Sequence, residues 1–171
     1  SPEYRANINT FGEVPALIHG NEKIAQSGVI QSYITEQSGK FGGKTEAEKR
    51  EVQAWVLCDN HKLSSMAGLT RFLMNFLPED KRPKEVISFN QTRLKAAYNT
   101  LETALNGREW LVGDGVTNAD FSCCGYLYYP EPFGFVRGDY ANIDRWLANI
   151  ESLDSYRAPY ELMPGSPADR A

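Results

Sequence analysis

Four residues near the start of the chain combine types and spacing suited to holding a small anionic peptide: Val14, Pro15, Gln26 and Ser27. Proline has no amide hydrogen, so a strand entered through Val14-Pro15 lacks one donor. With a cis peptide at that step, the Val14 backbone turns outward. Its N–H and C=O are then free, like a strand edge, to pair with an extended peptide. Gln26-Ser27 stands where a helical pattern begins. Unpaired amides and the positive end of the helix dipole favour a carboxylate there. The Ser27 hydroxyl adds a donor, and the Gln26 carboxamide can bond an amino-acid head group. Taken singly, the residues have a plainer account, in which Ser27 caps its own helix and Gln26 is a solvated strand end.

The elements that must position these residues can be read from the pattern. Ala16-Leu17-Ile18 is a short strand and Lys23-Ile24-Ala25 its return, joined by His19-Gly20-Asn21-Glu22. Gly20-Asn21 suits a two-residue hairpin turn. From Ser27, Val29, Ile30, Tyr33 and Ile34 recur at helical spacing, and Ser38-Gly39 ends the run. Lys40 to Lys44 reads as a linker. Nearly everything beyond it is helical, so the fold class is α+β, divided into residues 1–39 and 45–171.

Thr45-x-x-Glu48 is a capping box. It opens an apolar stripe that predicts one helix to about Leu77, bent near Gly68. Residues 84 to 106 predict another helix, closed by Asn106-Gly107. Thr117 and Asp120 form a second capping box, with Val116 and Phe121 as its hydrophobic staple. A further helix is expected over about 143 to 152. After Ser155 the tail, with Pro159, Pro164 and Pro167, reads as irregular.

Composition narrows the function classes. The 171 residues are 42% hydrophobic and 23% charged, an ordinary globular balance. A net charge of −4, from 18 basic and 22 acidic side chains, argues against nucleic acid. No apolar run is long enough to span a bilayer, so no membrane partner is expected, and the polar first residues carry no signal-peptide pattern. Cys58, Cys123 and Cys124 lack metal or disulfide-framework spacing and fit a reducing cytosol; no metal site is expected. His19 reads as a solvated turn residue, and His61 as either solvated or facing a cleft. Tyr126, Tyr128, Tyr129, Phe133 and Phe135 read as core and loop anchors, and Met66, Leu69, Phe72, Met74 and Phe76 as core.

Together these motifs resemble the glutathione S-transferase superfamily. Val14-Pro15 stands where the family has a Val-cis-Pro in a thioredoxin-like domain. Gln26-Ser27 stands where a Glu/Gln-Ser/Thr pair opens the domain's third helix. VGDGVTNADF is similar to the buried capping box of the family's all-helical C-terminal domain, and RWLANIESLDSYRAPYELMPG resembles bacterial members. The resemblance covers essentially the whole chain. It implies a partial thioredoxin-like N-terminal domain followed by a helical bundle, and glutathione as co-substrate. The Val14 backbone would pair with the cysteinyl unit of the tripeptide, while Gln26 and Ser27 would hold the γ-glutamyl group.

In many relatives a polar residue on the partner subunit's long helix completes that pocket. Asp59 and Asn60 fall in that neighbourhood, with a solvated helix face as the plainer reading of both. Two departures stand out. Thr10 replaces a frequent proline, and Gln26 replaces the commoner bacterial glutamate, which removes a charge partner for the glutathione amine.

Members open with a strand, a helix and a second strand ahead of the stretch that begins Ser1-Pro2-Glu3-Tyr4. That segment carries the Tyr, Ser or Cys that acts on the glutathione sulfur. The expectation is therefore a fragment, or the ordered part of a longer protein, with the catalytic residue unknown; Tyr4, Tyr33 and Ser38 fall on the wrong elements. The implied activity is transfer of the glutathione thiolate to a small electrophilic apolar substrate, in a cytoplasmic homodimer. Glutathione-dependent thiol or peroxide reduction, dehalogenation and a non-catalytic binding module remain alternatives.

Overall fold

The computed structural model describes residues 1–163 and 165. Helix α1 (Pro2–Asn7) is capped by Ser1, whose hydroxyl accepts from the Tyr4 amide, and it has proline in its first turn. Strands β1 (Ala16–His19) and β2 (Glu22–Ala25) pair antiparallel, Ala16 opposite Ala25 and His19 opposite Glu22. The turn puts its positive φ, 59°, on Gly20, where no Cβ opposes it. Helix α2 (Ser27–Ser38) follows and ends on Gly39 in the left-handed region. The expected hairpin and helix are therefore present, and α1 is an addition. One detail is corrected. Gln26, not Ser27, occupies the N-cap position, and no side-chain capping bond is made.

The helix predicted over 46 to about 77 is divided. Helix α3 (Glu46–Cys58) passes into a π-helical turn, Asp59–Leu63, and then into α4 (Ser64–Asn75). The Asp59 carboxylate accounts for the break. It accepts from the amide of Ser64 at 3.2 Å, from its hydroxyl at 2.8 Å, and from the Ser122 hydroxyl at 2.7 Å. Pulling Ser64 back onto Asp59 widens the turn by one residue. Asp59 is thus 3% exposed, which overturns the reading of it as solvated helix face. Gly68 lies inside regular α4 and marks no bend.

The bundle is completed by α5 (Lys84–Ala104), α6 (Asn118–Cys124), α7 (Ala141–Glu151) and a short α8 (Pro159–Leu162). The last corrects the irregular tail: Pro159 sits at the start of α8, where its missing amide costs nothing. Pro164 and Pro167, and the expected domain end at residue 171, lie outside the described residues.

Both capping boxes close as expected. The one at Thr117 is the centre of the core. Fully buried Asp120 accepts from the amides of Leu111 (2.9 Å) and Thr117 (2.8 Å), from the Thr117 hydroxyl (3.1 Å) and from the Trp146 indole (2.8 Å). One carboxylate thereby ties the start of α6 to the preceding loop and to α7. Among the described residues every buried apolar side chain lies between Val52 and Ile150. Leu69 and Phe72, expected in the core, are instead 48% and 49% exposed on α4. Cys123 and Cys124 are buried and Cys58 half-buried, all free, and burial pushes the Cys124 thiol up to about 12.

The two-stranded part is joined to the bundle by polar and aromatic contacts. Asn118 donates from its amide to the Phe41 carbonyl (2.9 Å) and from its side chain to the Thr35 hydroxyl (2.8 Å). Phe41 meets Phe121 edge-on, with ring centroids 5.1 Å apart.

Candidate functional site

The Val14 corner is built by the residues before it. Asn9, the only buried residue among the first 44, donates from its side chain to the Glu13 carbonyl at 2.7 Å, and the Tyr4 hydroxyl donates to the same oxygen at 2.8 Å. The Val14-Pro15 peptide that follows is cis. Val14 is 79% exposed. Neither its amide nor its carbonyl pairs with any described residue, and strand pairing begins only at Ala16. The result is a backbone donor and acceptor presented to solvent at a strand mouth.

Gln26 stands beside this corner with φ 70° and ψ 122°, a region a residue with a Cβ rarely occupies. Its carboxamide donates to the Glu13 carboxylate at 3.1 Å. Such backbone outliers persist where the surroundings hold them, and they cluster at binding sites. The distortion brings the first turn of α2 against α3. A Cβ on Gly28 would lie 2.7 Å from Val56 Cγ1 and 3.8 Å from Asn60 Nδ2, so only glycine admits this approach. Ser27 is exposed at the first helical position, and its hydroxyl is not engaged by the described residues.

These pieces enclose a recess of about 460 Å³. Glu13, Val14, Pro15, Gln26 and Ser27 form one wall; Asn60, Ser64, Ser65 and Tyr126 form the other. All four residues singled out in the sequence are therefore brought together. Asn60, considered above as a partner-subunit group, lines the recess of its own chain, and its side chain donates to the Val56 carbonyl at 2.8 Å. Asp59 sits behind that wall as its anchor. Burial raises its carboxyl above the usual range, against the opposing pull of its serine donors. His61 is exposed and does not line the recess, and His19 is exposed with Nδ1 2.5 Å from the Tyr33 hydroxyl.

Sequence reasoning missed Glu13, Ser64, Ser65 and Tyr126. Glu13 carried a signal, its place directly before Val14-Pro15. The others carried none, because the π-helical turn that presents Ser64 and Ser65 leaves no mark in the apolar periodicity.

A second cavity has a volume of about 540 Å³. Phe41, Phe121, Tyr128, Tyr129, Tyr156 and Leu162 give it an apolar lining. Tyr129 on its wall lies 5.7 Å, ring to ring, from Tyr126 on the wall of the recess. Arg71 spreads its guanidinium 3.9 Å from the Tyr129 ring and pairs with Glu131 at 3.0 Å. No group of three His, Cys, Asp or Glu among the described residues could hold a metal. No helix among them is long and apolar enough to cross a membrane.

Comparison with known proteins agrees with this architecture. The family model of the glutathione S-transferase C-terminal domain matches residues 64–154, and that of the N-terminal domain matches residues 1–36. Glutathione S-transferase F10 of Arabidopsis thaliana is 29% identical over 94% of this chain and 80% of its own length. Glutathione S-transferase GST-4.5 of Xanthomonas campestris is 29% identical over 91% and 72%. Among solved structures, a glutathione S-transferase from Xanthobacter autotrophicus superposes with a TM-score of 0.86 at 22% identity, over 99% of this chain and 80% of that one. A glutathione transferase from Burkholderia graminis, solved with two glutathione molecules bound per subunit, superposes at 0.80 with 23% identity, over 90% of this chain and 68% of that one. The short sheet followed by a helical bundle, and the matches that run across both, place this chain in the glutathione S-transferase family.

Proposed function

We propose that the recess binds glutathione and that the chain serves transfer of the glutathione thiolate to a small, apolar electrophile. The observation that carries the reading is the unpaired Val14 backbone lining one recess together with the start of α2. The cysteinyl unit pairs with the Val14 N–H and C=O as an added strand would. The γ-glutamyl carboxylate lies at the free amides of the first turn of α2, with the Ser27 hydroxyl donating to it and the Gln26 carboxamide oriented by Glu13. The amine, with no charge at Gln26 to meet it, is served by the Glu13 carboxylate at the same wall. Val14, Pro15, Gln26 and Ser27 are the binding residues in this reading.

The electrophile occupies the apolar cavity, whose lining matches an apolar substrate. Residues 1–39 act as the glutathione-binding unit and residues 45–171 as the substrate-binding unit of a cytoplasmic homodimer. Calorimetry with glutathione, followed by an assay of aryl-halide conjugation, tests this. Binding with turnover supports transfer. Binding without turnover favours a non-catalytic module, and thiol or peroxide reduction in place of conjugation favours a reductase. Absence of binding contradicts all three.

A further inference from the structure

Resting on the reading of the apolar cavity as the electrophile site, we propose that Arg71 is a positioning residue that fixes α8 as one wall of that cavity, through Tyr160, and so sets the size of electrophile admitted. Pro159, Leu162 and Met163, from α8 and the residue after it, line the cavity. A helix of four residues does not hold itself in place. Apolar burial does not hold this one either, because Leu162 and Met163 are exposed although they line the cavity. Among the described residues, Tyr160 alone in the segment 158–163 hydrogen-bonds outside that segment.

The Tyr160 hydroxyl is engaged on both sides. It donates to the Glu131 carboxylate and accepts from Nη2 of Arg71. Nε of Arg71 pairs with Glu131 at 3.0 Å, and each of those two side chains is only 12% exposed. The planar guanidinium therefore fixes the angle between its two partners as well as their distance. It also lies 3.9 Å from the centre of the Tyr129 ring and 5.0 Å from that of Phe76. The Tyr160 ring meets Tyr129 edge-on, with centroids 5.3 Å apart. Tyr129 is itself a cavity residue. One cation on α4 thereby joins α8 and the loop at Glu131 to an aromatic side chain of the same cavity.

The knot is complete near neutral pH. Burial opposes the charge on Glu131, and the donors from Arg71 and Tyr160 outweigh it, holding the carboxyl below its ordinary range. A buried pair of this kind adds little net stability, yet losing one member strands the other. Its contribution is thus geometric. Arg71, Glu131 and Tyr160 do not line the recess, so the wall they fix concerns the electrophile and leaves glutathione untouched.

The test compares the wild-type chain with Tyr160→Phe, which deletes one oxygen, and with Arg71→Met and Arg71→Lys. Each is loaded with N-phenyl-1-naphthylamine, a neutral apolar fluorophore, and its release is timed by stopped flow. Tyr160→Phe and Arg71→Met release the probe at least about tenfold faster than wild type, because the wall opens more often. Arg71→Lys falls between, since an ammonium lacks the fork that serves both partners. Size preference separates positioning from simple stabilisation. Displacement of the probe by 1-chloronaphthalene, relative to the smaller chlorobenzene, shifts at least about fivefold toward the bulkier compound in Tyr160→Phe. Glutathione affinity in calorimetry is the same in all four proteins.

A folded Tyr160→Phe with the wild-type release rate and size preference overturns the proposal, as does a wild-type chain that takes up no probe. Should Tyr160→Phe lose its circular-dichroism spectrum, Arg71→Lys is read by the same two criteria and decides. A wild-type chain that binds no glutathione, while the variants release the probe as expected, overturns the glutathione reading and leaves the fixed wall standing.

Discussion

Asp120 and the Val14 corner use the same groups in opposite ways. At Asp120 a fully buried carboxylate and the donors around it satisfy one another: four donors converge on two oxygens. At Val14 a backbone amide and carbonyl are left without partners, and the first turn of α2, on the same recess, keeps its free amides. The hub stabilises the fold and offers a ligand nothing. The corner contributes little to stability, yet it is where an anionic peptide finds what the chain withholds from itself. The buried core, from Val52 to Ile150, belongs to the first region. The strained backbone of Gln26 belongs to the second.

Substitutions break or sharpen this contrast. The largest effect is expected at the hub. Asp120→Ala strands several buried donors and lowers stability by about 3–5 kcal/mol, read by urea denaturation. Should that variant lose only a few tenths, the hub would not be the fold's anchor.

Asp59 lies between the two regions, and its effect depends on pH. Burial holds its folded-state carboxyl above the usual 3.8, so the folded chain binds this proton more tightly than the unfolded chain. The associated stability is complete below the unfolded value and is lost as pH rises through the folded one. Asparagine does not titrate. Asp59→Asn therefore destabilises most at the acid end, by about 2 kcal/mol, and less as the pH approaches neutrality. Denaturant midpoints of both proteins across that range check the slope. A gap that widens toward neutral pH contradicts the assignment.

Effects at the corner are smaller on stability and larger on binding. Ser27→Ala, which removes an exposed and unengaged hydroxyl, weakens glutathione by about tenfold in calorimetry. The same substitution leaves the thermal midpoint unchanged. Gln26→Gly relieves the positive φ and raises stability by about 1 kcal/mol, while glutathione binding falls because the oriented carboxamide is gone. Stability and affinity moving in opposite directions at one residue is the signature of a region shaped for a ligand. Parallel losses would place Gln26 with the structural residues instead.

Much of this contrast is legible in the residue order. The Thr117-x-x-Asp120 box is a local pattern with a local cause, and the structure closes it as read. The hairpin register follows from the short strands flanking Gly20-Asn21. The π-helical turn is not legible. It depends on Ser122, which is 63 residues from Asp59 in sequence, and no periodicity records a contact at that distance. Asp59 therefore reads as surface when it is buried, and Ser64, Ser65 and Tyr126 stay hidden as recess residues. The cap at α2 also differs from the local expectation. Ser27 has the better side chain for an N-cap, but it sits in the first turn, where Gly28 packs close to Val56. At Asp59 a tertiary contact overrides a local preference.

Amide hydrogen exchange at Val14, measured with and without glutathione, tests the binding edge most directly. Pairing with the cysteinyl unit predicts that the Val14 amide becomes at least about tenfold more protected on saturation, while the Leu111 and Thr117 amides at the hub keep their rates. Glutathione that binds in calorimetry yet leaves Val14 exchange unchanged would contradict the edge as the binding element.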